Sequence, residues 1–193
     1  MSGASDQQLA ARASGGDDAA FRELLRRYER PVFSLVYRMV RDRALAEDLS
    51  QESFVKVFNG LASYRREFKF SSWIFKIASN AAIDHLRRRE LDTLSLDGPT
   101  EAPTRDNRTH ARQLSHRGES PLEELEAREL GAAIEHAIGR LRPEYRACIL
   151  LRHVEGYPYE QIAEMLDLPL GTVKTYIHRA RNELRGYLGD ERP

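Results

Sequence analysis

The chain has 193 residues, 41% of them hydrophobic and 31% charged, with one cysteine and a net charge of zero. This composition suits one or two small soluble domains. It excludes a membrane span, because no run nears the roughly 18 apolar residues needed, and an intramolecular disulfide, because Cys148 stands alone. The polar start, MSGASDQQLAARASGGDD, lacks the apolar segment of a signal peptide, so a cytoplasmic location is expected.

Zero net charge argues mildly against nucleic acid, but the sum hides segregation. Arg65–Arg89 carries seven Lys and Arg against two acids, and Glu119–Glu135 carries six acids against one Arg. The local patch, not the total, steers a polyanion.

In chain order, Ser5–Arg89 reads as almost all helix. Phe21, Leu24, Leu25, Tyr28, Val32, Leu35, Val36 and Met39 recur at helical spacing, with Pro31 expected to kink that helix or start a new one. Leu45, Leu49, Phe54, Val57, Phe58 and Leu61 give a second helix. There Asp48, Gln51, Glu52 and Val55 share another face by i, i+3 and i+4 spacing. On spacing alone a solvated face is the simpler reading, and an acidic patch for a basic partner is the other.

Trp73–Arg89 gives a third helix, entered through Ser71-Ser72 as an N-cap. One face gathers Trp73, Lys76, Asn80, Asp84 and Arg87. The loop before it holds Tyr64, Arg65, Arg66, Phe68, Lys69 and Phe70. Interleaved rings and cations suit single-stranded nucleic acid, where bases stack while cations follow the backbone. The competing reading places Phe68, Phe70 and Trp73 in the core, as Phe75 is expected to be.

From Leu91 to Ser120 the period stops in a Pro-, Thr-, Ser-, Asp- and Arg-rich stretch that reads as a flexible linker. The helical pattern then returns. Leu122, Leu125, Leu130, Ala133, Ile134, Ala137, Ile138 and Leu141 form one stripe, Pro143 starts the next helix, and Ile149–Val154 should be buried with Cys148. No segment reads as a strand. The expected class is all-α: two small helical domains joined by a flexible linker.

YEQIAEMLDLPLGTVKTYIHRAR then reads as two helices about Pro158–Leu166 and Gly171–Leu188 joined by a very short turn, a helix-turn-helix. Ile162, Ala163 and Leu166 face Val173, Ile177 and Ala180. The outward stripe of the second helix is basic and rich in hydrogen-bond donors. Lys174, Arg179 and Arg181 can meet phosphates or guanine edges, while Thr175 and His178 can meet base edges. The bland alternative is a helical hairpin with a solvated basic face.

YEQIAEMLDLPLGTVKTYIHRARNELR resembles the last conserved domain of the bacterial sigma-70 family, which reads the minus-thirty-five promoter element. Pro158 and Tyr176 depart from the Ser and Arg common there. The resemblance adds Thr172 to the duplex-reading group. AEDLSQESFVKVF is similar to that family's polymerase-gripping segment, which implies contacts from Asp48, Leu49, Gln51 and Glu52. FSSWIFKIASNAAIDHLRRR is similar to its minus-ten segment, which implies roles for Trp73, Lys76 and Asn80, with Tyr64, Phe68 and Phe70 in a loop that takes a flipped base.

The short two-domain form resembles the extracytoplasmic-function (ECF) sigma factors. That resemblance implies residues 1–90 as region 2, 91–120 as linker and 121–193 as region 4. It also implies core RNA polymerase and promoter DNA as partners, an anti-sigma factor as regulator, and no catalysis by the chain itself. The runner-up is a stand-alone helix-turn-helix regulator, which leaves the cluster around Trp73 without a use. An enzyme fits poorly. The six histidines, at 85, 110, 116, 136, 153 and 178, lack ligand spacing, Cys148 with His153 falls short of a zinc site, and no phosphate-binding glycine loop is present. No metal, cofactor or small-molecule substrate is expected.

Overall fold

The computed structural model describes residues 4–65, 67–95 and 121–190; Arg66 and most of the predicted linker at 91–120 lie outside them. Every regular element among the described residues is helical, as expected from the sequence. The order is α1 (Asp6–Ser14), α2 (Asp18–Val40), α3 (Arg43–Gly60), a short 3-10 turn (Leu61–Ser63), α4 (Phe70–Ser95), α5 (Pro121–Arg140), α6 (Pro143–His153), α7 (Tyr159–Leu166) and α8 (Leu170–Asp190).

Short polar side chains set the first three starts. Ser5 and Gln8 form a reciprocal capping box for α1. The Asp17 carboxylate accepts the N–H groups of Ala19 and Ala20 at 3.0 Å, and Asp42 accepts that of Leu45 at 3.0 Å. Each cap is worth about 1 kcal/mol. Pro31 does not start a new helix. It lies inside α2, which runs as one helix from 18 to 40. The Arg27 carbonyl loses its usual donor, and the buried row Leu24, Val32, Leu35, Val36 and Met39 holds the helix in place.

The start of α4 corrects the sequence reading. It begins at Phe70, so Ser71 and Ser72 lie inside its first turn instead of capping it. Phe70 is 2% exposed and meets Tyr28, Tyr64 and Trp73 edge-on. Burial of that ring fixes the turn. Tyr28 in turn donates to Asp6 at 2.5 Å, and Arg27 reaches the same carboxylate at 2.7 Å, so α1 is tied to α2.

Helices α5–α8 close around Leu141, Leu150, Leu151, Ile162, Val173 and Ile177, all nearly inaccessible. Burying each such side chain contributes roughly 1.5–3 kcal/mol. Pro143 occupies the first turn of α6, as expected. Pro158 is the extended N-cap of α7 rather than its first helical residue. Cys148 is buried, which pushes its thiol up to about 12. Two expectations fail here. Leu130 and Ile134 are 59% and 38% exposed, so among the described side chains of α5 those of the last turns face the core, and Val154 is exposed because α6 ends at His153. The side chains of Leu122 and Leu125 lie outside the described residues.

The two halves pack against each other. α4 contacts α6 and α7, and α2 contacts α5 and α6. Phe75 meets Tyr157 edge-on with ring centres 5.9 Å apart. At Gly139 an added Cβ would lie 2.5 Å from Arg41 Cδ, so the Arg41 side chain fills the space this glycine leaves open. Arg146, 8% exposed, donates from its two terminal nitrogens to the carbonyls of Met39, Gly139 and Leu141. These carbonyls end α2 and α5, where helix dipoles place negative charge.

Candidate nucleic-acid interface

The helix-turn-helix is built as its sequence suggests. α7 ends at Leu166 and is capped by Asp167, whose φ of 52° is left-handed, a conformation short polar Asp tolerates. The Leu168 N–H then returns to the Ala163 carbonyl at 2.9 Å. α8 starts at Leu170 and buries Val173, Ile177 and Ala180. Lys174, Thr175, His178, Arg179 and Arg181 are exposed on the other side, and Thr172 is half-buried at the first turn.

Side chains outside the predicted set hold several of these groups. Arg179 donates to the Tyr145 hydroxyl at 3.4 Å, a bond that raises the guanidinium pKa, while the Tyr145 ring packs on Tyr176 at 4.9 Å. Arg181 lies 3.1 Å from His153 Nε2. Partial burial, Arg181 and Arg152 all lower the pKa of His153, which favours the neutral ring that can accept from Arg181. Asn182 Nδ2 lies 3.2 Å from His178 Nε2, and Thr175 donates to the Gly171 carbonyl at 2.9 Å. The i, i+4 spacing of His178 and Asn182 is visible in the sequence. Tyr145 and His153 come from another helix, and no local pattern announces them.

The loop before α4 is a tight turn. Phe68 N–H donates to the Arg65 carbonyl at 3.1 Å, and the Tyr64 hydroxyl donates to the Phe68 carbonyl at 2.6 Å. Phe68 is 43% exposed, with Arg65 and Lys69 exposed beside it. Trp73 is half-buried. It lies on the Tyr64 ring at 5.1 Å and over Gly60, where an added Cβ would come within 3.2 Å of the indole. Phe70 departs from its expected role. It is core, and a ring packed on all sides offers no stacking face. Lys76 and Asn80 are half-buried along α4.

On α3 the predicted face divides. Asp48, Gln51 and Glu52 are exposed, and Val55, 58% exposed, extends the same surface. Leu49 is 7% exposed and packs inward, so it supports this face from beneath and offers little contact area of its own. Glu52 pairs with Lys56 at 2.7 Å, which lowers its carboxyl pKa. A polar cleft lined by Glu52, Lys56, Asp84, His85 and Arg88 connects this face with α4. Among the described residues no three His, Cys, Asp or Glu side chains gather as a metal site, and no helix is long and apolar enough to cross a membrane.

Two family models match the chain: sigma-70 region 2 over residues 24–91 and sigma-70 region 4 over residues 131–184. The ECF RNA polymerase sigma factor SigW of Bacillus subtilis is 34% identical over 175 residues, covering 91% of this chain and 92% of that protein. The RNA polymerase sigma-H factor of Pseudomonas aeruginosa is 34% identical over 179 residues, covering 93% and 91%. Among solved structures, CnrH in complex with the cytosolic domain of CnrY shares the fold with a TM-score of 0.65 at 21% identity, covering 97% of this chain and 99% of that one. The sigma factor RpoE of Bartonella quintana, in complex with the anti-sigma factor NepR, has a TM-score of 0.64 at 23% identity, covering 89% and 98%. Two region matches in the expected order and relatives that align over nine-tenths of their length identify this chain as a member of the sigma-70 family, an RNA polymerase sigma factor of the ECF group.

Proposed function

We propose that residues 1–90 grip core RNA polymerase and trap the melted minus-ten strand, that 91–120, whose first five residues continue α4, are a tether, and that 121–193 read the minus-thirty-five duplex. The observation that carries this reading is the coexistence, on one chain, of an exposed basic helix-turn-helix face and a separate ring-and-cation cluster. A stand-alone duplex reader has no use for the second. The sigma factor supplies selectivity, and the polymerase supplies the chemistry. Two weak readers on one tether become selective together.

In this reading Asp48, Gln51 and Glu52, with neighbouring Val55, meet the polymerase. Phe68 and Trp73 receive bases, and Lys76 and Asn80 follow the strand. Phe70 and Leu49 support from within. Thr172, Lys174, Thr175, His178, Arg179 and Arg181 face the duplex. A cytoplasmic site of action follows from these partners, and an anti-sigma factor that covers the same surfaces is the expected regulator.

The test is reconstitution. The purified chain is mixed with core polymerase free of other sigma factors and supplied with duplex fragments of the host genome. Co-elution with new, site-specific transcripts is expected. Tight duplex binding by the chain alone, with no transcript, would favour a stand-alone regulator.

Two point variants separate the DNA contacts. Phe68→Ala should weaken single-strand binding by roughly 1–3 kcal/mol with little change in thermal stability, because the ring is largely exposed. A wild-type affinity would remove Phe68 from the strand-binding face. Arg179→Ala should weaken upstream-element binding and, if the contact is to phosphate, lower the salt slope by about 1. Native affinity and selectivity in that variant would sink the contact.

A further inference from the structure

Two tyrosines that no local pattern links meet beside the duplex-reading face. Tyr145, in the first turn of α6, is 6% exposed. Its ring packs on that of Tyr176, on α8, with centres 4.9 Å apart and planes inclined at 48°. Its hydroxyl accepts from Arg179 Nη1 at 3.4 Å. Arg179 is exposed and Tyr176 is half-buried.

The support under Tyr145 is stiff. Pro143 pre-sets the first turn of α6. The next residue along, Arg146, is buried and donates to the carbonyls of Met39, Gly139 and Leu141. A hydroxyl carried on such a base is a fixed acceptor, whereas an arginine alone on a helix surface spreads over many rotamers. Position 176 matters for the same reason. It lies one turn before Arg179, where an arginine would set two guanidinium groups against each other. Tyrosine there removes that repulsion and packs the Tyr145 ring instead.

The bond to Tyr145 uses Nη1. Nε and Nη2 remain, and their N–H groups run parallel as a fork. Such a fork fits two acceptors side by side, either O6 and N7 of a guanine edge or two oxygens of one phosphate.

We propose that Tyr145 is a positioning residue for duplex readout: with Tyr176 as its packing partner, it holds the Arg179 guanidinium so that the Nε–Nη2 fork is already set when the upstream element arrives. This deepens the reading of Arg179 given under the proposed function and rests on it. Tyr145 itself need not touch DNA. It contributes through the rotamer freedom that Arg179 no longer loses on binding.

The experiment uses holoenzyme reconstituted from core polymerase and the full chain. Affinity is measured for a promoter fragment recovered in the reconstitution and for the same fragment with its upstream element scrambled. The ratio of the two is the selectivity. Tyr145→Phe keeps the ring and its packing on Tyr176, so the melting midpoint of the chain should not move. Selectivity should fall about three- to tenfold, the scale expected for immobilising one long side chain. In an Arg179→Ala background the same substitution should change nothing, because the double-mutant cycle isolates the pair. Two further templates distinguish the acceptors. One carries carbon in place of guanine N7 in the element, and the other carries methylphosphonates at single phosphates. The Tyr145→Phe loss should vanish on one of them. Wild-type selectivity in Tyr145→Phe beside a defect in Arg179→Ala would overturn the positioning role alone. A loss that persists in the Arg179→Ala background, or on both templates, would overturn it as well. Arg179→Ala without any defect would remove Arg179 from the duplex face and the proposal with it.

Discussion

Replacing Asp48 and Glu52 together by lysine is expected to abolish co-elution of the chain with core RNA polymerase. Both side chains are exposed on the outer face of α3. Neither caps the helix, whose N-terminus is held by Asp42. The substitution therefore leaves the core row of Ala46, Leu49, Ser53 and Val57 untouched, and the circular dichroism spectrum should not change. The lost pair of Glu52 with Lys56 is solvent-exposed and worth little. Under the proposed polymerase contact the effect is much larger. A face arranged for acids meets two cations, and like charges brought together in an interface cost several kcal/mol. At 1.4 kcal/mol per factor of ten, affinity should fall more than about 100-fold. Retained affinity for the core enzyme would remove α3 from the polymerase interface.

Arg146→Met is expected to lower thermal stability by roughly 5–15 °C. The side chain is buried, and burial holds its pKa down to about 10. Taken alone, that desolvation argues that an apolar replacement would help, as it can for buried ion pairs. The partners decide otherwise. Arg146 satisfies carbonyl groups of Met39, Gly139 and Leu141, which belong to the backbone and stay behind when the guanidinium is removed. An unsatisfied buried polar group costs about 1–3 kcal/mol. After relief of the guanidinium desolvation, a net loss of about 2–4 kcal/mol remains, and each kcal/mol moves the midpoint of a chain this size by about 2–4 °C. Circular dichroism melting checks it. An unchanged midpoint would mean that water reaches the freed carbonyls.

The helices were legible wherever apolar residues repeat at helical spacing over three or more turns. The body of α3, the body of α4 and the α7–α8 pair follow from that period and from the breaker at Asp167–Pro169. Helix α1 does not stand out in the sequence, because its nine residues bury only Leu9, Ala10 and Ala13. The start of α4 is not legible in the sequence because a Ser pair imitates a cap, while the real determinant, the Phe70 ring closed over by Tyr28, Tyr64 and Trp73, is tertiary.

The candidate site divides in the same way. Exposure of Lys174, Thr175, His178 and Arg179 follows from periodicity alone. Phe70 and Leu49 could not be separated from their exposed neighbours without packing. The contacts of Lys76 with Asp167, 91 residues away, and of Arg179 with Tyr145, 34 away, leave no trace in any local window.

The pairing of first-half cations with second-half acids, Lys76 with Asp167, Arg87 with Glu144 and Arg38 with Glu135, bears on how such a chain meets DNA that is not a promoter. Random genomic duplex is present in vast excess over promoters, and any protein with uncovered cations is titrated onto it. With 30 basic residues set against 30 acidic ones, and part of the basic face shielded by its own carboxylates, the unbound chain has few counterions to release on arbitrary DNA. It is therefore expected to bind arbitrary duplex weakly and to remain available for capture by polymerase.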